Sequence, residues 1–235
     1  MKIVSKQAAI AFINEKFPNC DVALLAGSAA RDELTSHSDL DVVILDQTQS
    51  SNFRQCFVWH DWKMETFVYN HPTSLSFAFD ASRLEAIPTI PRMCAERIVL
   101  KDNGLASQIK SQAMDALYKG PVKWTKDNKE SMQYMISDLL DDLRSNINVE
   151  EKIFVAYKLF DYVAEFTLRA NGHWIGYGKW LYRSLLNFDE QFAKQHLDVF
   201  QDFMKTGKSE PLCTFIDNVL EQHGGELFEG YIDRL

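Results

Sequence analysis

Residues 24–45, LLAGSAARDELTSHSDLDVVIL, restrict the fold more than any other part of the chain. An apolar run ends in Gly27-Ser28, a short polar segment follows, and Asp39 and Asp41 then alternate with aliphatic residues. In a β-strand, residues i and i+2 point to the same side. The two aspartates therefore project together, while Leu40 and Val42 turn the other way into a core. Adjacent carboxylates repel one another unless a proton or a cation sits between them, and a pair of hard oxygen ligands suits Mg²⁺. Gly27-Ser28 falls where a strand turns into a helix, and N–H groups exposed at such a junction favour phosphate oxygens. A phosphate cradle beside a metal-binding carboxylate pair points to phosphoryl or nucleotidyl transfer.

The order of these elements, GSxxR followed by a spacer and SDLDVVIL, resembles the signature of the DNA polymerase β-like nucleotidyltransferase superfamily. In layout the chain is similar to the aminoglycoside nucleotidyltransferases and the minimal nucleotidyltransferases. The resemblance implies an α+β fold: an N-terminal nucleotidyltransferase α/β domain with a mixed sheet over residues 1–120, then a C-terminal helical bundle over residues 121–235 that binds the acceptor. The active site would lie in the cleft between them. Asp39 and Asp41 would hold Mg²⁺, and an NTP, with ATP as first choice, would be the co-substrate. Gly27 and Ser28 would cradle its β- and γ-phosphates, with Ser38 adding a donor.

The family also draws a third carboxylate from a later strand. FRQCFVW (53–59) and WKMETFVY (62–69) read as two strands joined in a hairpin at His60-Asp61. Lys63, Glu65, Phe67 and Tyr69 share one face of the second run, and Glu65 is its only carboxylate. An unpaired buried charge is costly, so Glu65 is expected to be the third acid, as a metal ligand or as the base that activates the acceptor. The alternatives are an edge-strand glutamate facing water, or Asp61 at the hairpin tip, where a turn aspartate has local hydrogen-bonding reasons to sit.

Three further groups bear on substrates. Arg31, three residues after Ser28, would lie on the first turns of a helix within reach of phosphate or of an acidic neighbour. GHWIGYGKWLYR (172–183) runs from a loop into a helix that begins near Lys179, whose ammonium could meet a triphosphate as a point charge; related enzymes similarly bring a basic residue from their helical part. Asp138 and Asp142, at i and i+4 on one helix face, with Glu165, form an acidic set suited to a cationic acceptor.

The 235 residues carry a net charge of −8, which argues against a general nucleic-acid binder. It suits a small cationic, aminoglycoside-like acceptor or a protein partner, and leaves room for a homodimer. Cys20, Cys56, Cys94 and Cys213 are scattered, and none of the histidines pairs with another at ligand spacing, so neither a disulfide framework nor a zinc site is expected. The start lacks the pattern of a signal peptide and no apolar run reaches membrane-spanning length, so a cytoplasmic protein is expected. Two other readings remain: a protein-AMPylating enzyme of a toxin–antitoxin type system, and a non-catalytic nucleotide-binding module.

Periodicity places a helix over 5–17, strands near 21–26 and 40–46, and a helix from a Thr73 cap to about 85. A loop through Ile87-Pro88 to Pro91, a strand over 97–100 and a helix over 105–118 follow. Past Gly120-Pro121 all is helical, with apolar stripes through Met132, Met135, Ile136, Leu139, Leu140 and Leu143, and through Ile153, Tyr157, Phe160, Ala164 and Thr167. Shorter helices are expected near 178–186, 188–204 and 210–222.

Overall fold

Two short aliphatic runs, Val22–Leu25 (β1) and Leu40–Leu45 (β2), pair antiparallel inside a five-stranded sheet. The structure is a computed structural model and describes residues 2–145 and 147–233. β3 (Phe53–Trp59) and β4 (Trp62–Tyr69) form the expected hairpin, closed by His60-Asp61 with His60 at φ 49°. β4 runs parallel to β2, while β5 (Ile98–Asp102) lies antiparallel to β1. The strand order is β3-β4-β2-β1-β5, a mixed sheet with β3 and β5 at its edges.

The helices of this part are α1 (Lys2–Lys16), the single-turn α2 (Gly27–Ala30), α3 (Pro72–Glu85), α4 (Thr89–Ala95) and α5 (Ala106–Lys119). Strand alternation sends Leu40, Val42 and Ile44 to one face, where they meet Phe12 and Ile13 of α1. Val43 and Leu45 point to the other, against Leu75 and Phe79 of α3, Met93 of α4 and Ile109 of α5. β2 is thus apolar on both sides, as a strand covered on both faces should be. Asp41 shares the face of Val43 and Leu45 and interrupts this apolar run.

Two local expectations are corrected. α3 is capped by His71, whose Nδ1 accepts the Thr73 N–H at 3.2 Å, with Pro72 in the first turn. The segment around Pro88 and Pro91 is not only a loop, because α4 begins at Thr89 and carries Pro91. A proline there removes only an N–H that the first helical turn leaves unbonded in any case.

The chain divides into two compact units at Gly120/Pro121. The second is helical: α6 (Lys126–Ser145), α7 (Val149–Ala170), α8 (Lys179–Phe188), α9 (Glu190–Thr206) and α10 (Glu210–Glu221). Its core joins Ile136, Leu140 and Leu143 of α6 with Leu159, Val163 and Phe166 of α7, Phe200 and Phe203 of α9, and Ile216 and Leu220 of α10. The stripe expected on α7 holds at Ala164 and Thr167, which are buried, but at its start the buried face runs instead through Ala156 and Leu159. Tyr157 is 70% exposed and lines, with Phe154, Phe160, Phe200 and Met204, an apolar cavity of about 600 Å³ between α7 and α9. No helix among the described residues is long and apolar enough to cross a membrane.

His196 sits in this core, 1% exposed and ringed by Phe160, Phe192, Phe200 and Phe215. Neither ring nitrogen makes a hydrogen bond of good geometry. Burial lowers its pKa from 6.5 to about 4, and the nearby Phe160 carbonyl offsets only part of that effect. The unfolded chain therefore binds the extra proton first as the pH falls. Stability from this residue is complete above about 6.5 and is lost as the pH drops towards 4, on the order of 2 kcal/mol by pH 5. Urea midpoints at pH 7 and pH 5 should show a smaller acid loss in His196→Phe than in the native chain. Equal losses would mean that the imidazole is not held neutral.

Candidate functional site

The site is built at the start of β2. The Asp41 carbonyl accepts the Ala26 N–H at 2.8 Å, which fixes the end of β1 beside the start of β2. The next residue, Gly27, has φ +62° and opens α2. A Cβ added there would fall 1.8 Å from Asp41 Oδ2, so glycine alone lets the backbone and this carboxylate lie together.

The parallel register of β2 and β4 sets Asp41 opposite Glu65. Glu65 lies on an interior strand, which removes the edge-strand alternative. Asp39 precedes β2 with the same parity as Asp41. One oxygen from each of Asp39, Asp41 and Glu65 lies within 4.8 Å of the others, and no second group of three or more potential metal ligands is found among the described residues. Asp61 stays in the hairpin turn, outside the cluster.

The electrostatics follow from this crowding. Burial is the largest influence on Asp41, followed by the charges of Asp39 and Glu65 and a hydrogen bond with Glu65. Together they raise its pKa to about 7, against a smaller opposing pull from Arg31. Near neutral pH the cluster thus keeps a proton where a cation would otherwise sit. Three hard oxygen donors around one point, one of them held partly protonated near neutral pH, fit a divalent cation.

The other residues singled out in the sequence fall in different places. Ser28 lies in α2, and its carbonyl accepts the Glu33 N–H at 2.9 Å. Arg31 follows α2 and pairs with Glu96 at 3.0 Å and Glu33 at 3.3 Å. Ser38 Oγ accepts the Thr35 N–H at 2.9 Å, closing the turn that leads to Asp39. Lys179 is the first residue of α8, behind Gly178 at φ 54°. Asp138 and Asp142 are exposed on α6. Glu165 is partly buried on α7; burial raises its pKa, and Arg169 one turn later pulls it down.

Sequence reasoning passed over Arg54. Its Nε and Nη2 both donate to Glu65 Oε1, and its guanidinium lies 5.2 Å from the centre of the Phe67 ring. The hairpin itself held the signal. A two-residue turn at His60-Asp61 pairs Cys56 with Glu65 and Arg54 with Phe67, so Arg54 is the diagonal neighbour of Glu65 on the same face.

No family model matches the sequence, and no curated protein matches it. Among solved structures, the chain is similar to a nucleotidyltransferase-like protein from Exiguobacterium sibiricum 255-15. The alignment covers 92% of this chain and 74% of that one, with 12% sequence identity and a TM-score of 0.48. The likeness is remote, and the functional reading rests on the residues of the acid cluster.

Proposed function

We propose that this protein is a Mg²⁺-dependent nucleotidyltransferase that moves a nucleoside monophosphate, AMP from ATP, to a hydroxyl of a small cationic acceptor and releases pyrophosphate. The observation that carries the reading is the meeting of Asp39, Asp41 and Glu65 around one point, beside a glycine whose missing side chain makes room for Asp41. Mutually repelling acids kept this close are costly to fold unless a cation is their purpose, which disfavours a non-catalytic module.

In this reading Asp39 and Asp41 hold the metal. Glu65 either completes the ligand set or takes the proton from the acceptor hydroxyl. Gly27 and Ser28 present backbone N–H groups to the phosphates, with Ser38, Arg31 and Lys179 as further donors. A Mg²⁺ bound at the cluster would neutralise charge on the phosphates and on the departing pyrophosphate. The helical unit, residues 121–235, supplies the acceptor site, with Asp138, Asp142 and Glu165 meeting ammonium groups.

The test uses ATP labelled at the α- or the γ-phosphate, Mg²⁺, and acceptors graded in charge. The α-label should pass to a polycationic acceptor and the γ-label should leave as pyrophosphate, both requiring Mg²⁺. Release of γ-label as inorganic phosphate would contradict nucleotidyl transfer. Transfer to protein in preference to every small acceptor would favour the AMPylating reading.

A further inference from the structure

Arg54 occupies a position that the proposed reaction has not used. It stands on β3, the edge strand, with its side chain 65% exposed, whereas the Glu65 side chain it holds is only 12% exposed. Two of its nitrogens converge on a single Glu65 oxygen. Glu65 is also one of the three acids whose oxygens gather within 4.8 Å. A divalent cation and this guanidinium therefore make opposing demands on the same carboxylate.

Arg31 and Arg54, two cations near the cluster, differ in how they are tethered. Arg31 pulls on Asp41 by its charge and is paired with Glu33 and Glu96, acids outside the cluster. Arg54 is paired with a member of the cluster itself. Beneath it, the face of Phe67 at 5.2 Å gives the guanidinium a second resting place that does not depend on Glu65. An arginine that lets go of Glu65 would thus remain over the same face of the sheet, next to the acids. Its planar fork of donors matches phosphate oxygens as well as it matches a carboxylate.

We infer that Arg54 is the internal counter-cation of the acid cluster: it holds Glu65 until a divalent ion binds, and then turns its guanidinium to a phosphate of the nucleotide. This rests on the cluster being a metal site. Arg54 is then a positioning residue with opposite effects on the two ligands. It weakens the binding of metal alone and strengthens the binding of nucleotide once metal is present. A purely structural ion pair would produce no such change of sign.

The experiment compares the native chain with Arg54→Gln and Arg54→Lys, each matched for thermal melting. Free Mn²⁺ is followed by electron paramagnetic resonance during titration at low salt, and ATP binding is then measured by calorimetry at saturating Mn²⁺. Arg54→Gln should bind Mn²⁺ alone roughly two- to five-fold more tightly than the native chain, the size expected for an ion pair largely open to water. It should bind ATP several-fold more weakly. Arg54→Lys should keep most of the competition with Mn²⁺ but lose part of the ATP affinity, because an ammonium lacks the fork. Equal or weaker Mn²⁺ binding by Arg54→Gln would overturn the inference while leaving the metal site standing. Tighter Mn²⁺ binding with unchanged ATP affinity would overturn the transfer of Arg54 to phosphate. Failure of all three proteins to bind Mn²⁺ would overturn the metal site and this inference together.

Discussion

Replacing Asp41 by asparagine is expected to stabilise the metal-free protein at neutral pH and to abolish nucleotidyl transfer. Its carboxyl is raised from 3.8 to about 7 by burial and by Asp39 and Glu65. As pH rises from about 4 to 7, the unfolded chain gives up this proton before the folded chain does, so folding is progressively disfavoured. Above about 7 the deficit is complete, on the order of a few kcal/mol. Asparagine is neutral throughout and can still donate to Glu65. Metal-free Asp41→Asn should therefore outlast the native chain in urea at pH 8, and the two midpoints should converge near pH 4. Adding Mg²⁺ should raise the midpoint of the native chain and leave the variant unmoved, since ligand stabilises only the form that binds it. An Asp41→Asn protein less stable than the native chain at pH 8 would show that the carboxylate is not under electrostatic strain.

Gly27→Ala should have the opposite consequence for the fold and a smaller loss of the same sign for the chemistry. The new methyl cannot stay 1.8 Å from Asp41 Oδ2, and residue 27 already lies at φ +62°. Either the backbone leaves the left-handed region or Asp41 moves away from Asp39 and Glu65. A displacement of about 1 Å at such a centre typically costs on the order of a hundred-fold in rate, and alanine at positive φ adds a stability loss of about 1 kcal/mol. Steady-state transfer rates and urea midpoints would measure both. A Gly27→Ala protein with native activity would mean that the close approach to Asp41 has no catalytic purpose.

Much of the fold was legible because its signals are local. The β-branched apolar run LDVVIL and the His60-Asp61 turn between FRQCFVW and WKMETFVY define strands and hairpin without outside help. What the sequence hid depended on competition between local rules. At Pro88 and Pro91 two prolines read as a loop, although one of them is harmless inside the first turn of α4. His71 took the cap from Thr73 because the helix already begins at Pro72 and the His71 ring nitrogen accepts the Thr73 N–H. On α7 the stripe through Ile153, Tyr157, Phe160, Ala164 and Thr167 was right at Ala164 and Thr167, but at the start of the helix the buried face runs through Ala156 and Leu159, leaving Ile153 and Tyr157 exposed.

The candidate site divides in the same way. Asp39 and Asp41 could be read from spacing, since i and i+2 in a strand allow only one arrangement. That Glu65 joins them depends on β4 lying parallel beside β2 at a register that no local pattern encodes. Arg54 was overlooked because in FRQCFVW it looks like a solvated residue on an edge strand, and only its diagonal relation to Glu65 gives it a role.

The central claim, that these three acids form one divalent-metal centre, is most directly tested by equilibrium titration of the metal-free chain with Mn²⁺ at pH 7.5. The native protein should show saturable binding that tightens when ATP is present, and Asp39→Asn and Asp41→Asn should each lose it while remaining folded. Saturable binding that survives in both variants, or its absence from the native chain with and without ATP, would contradict the account.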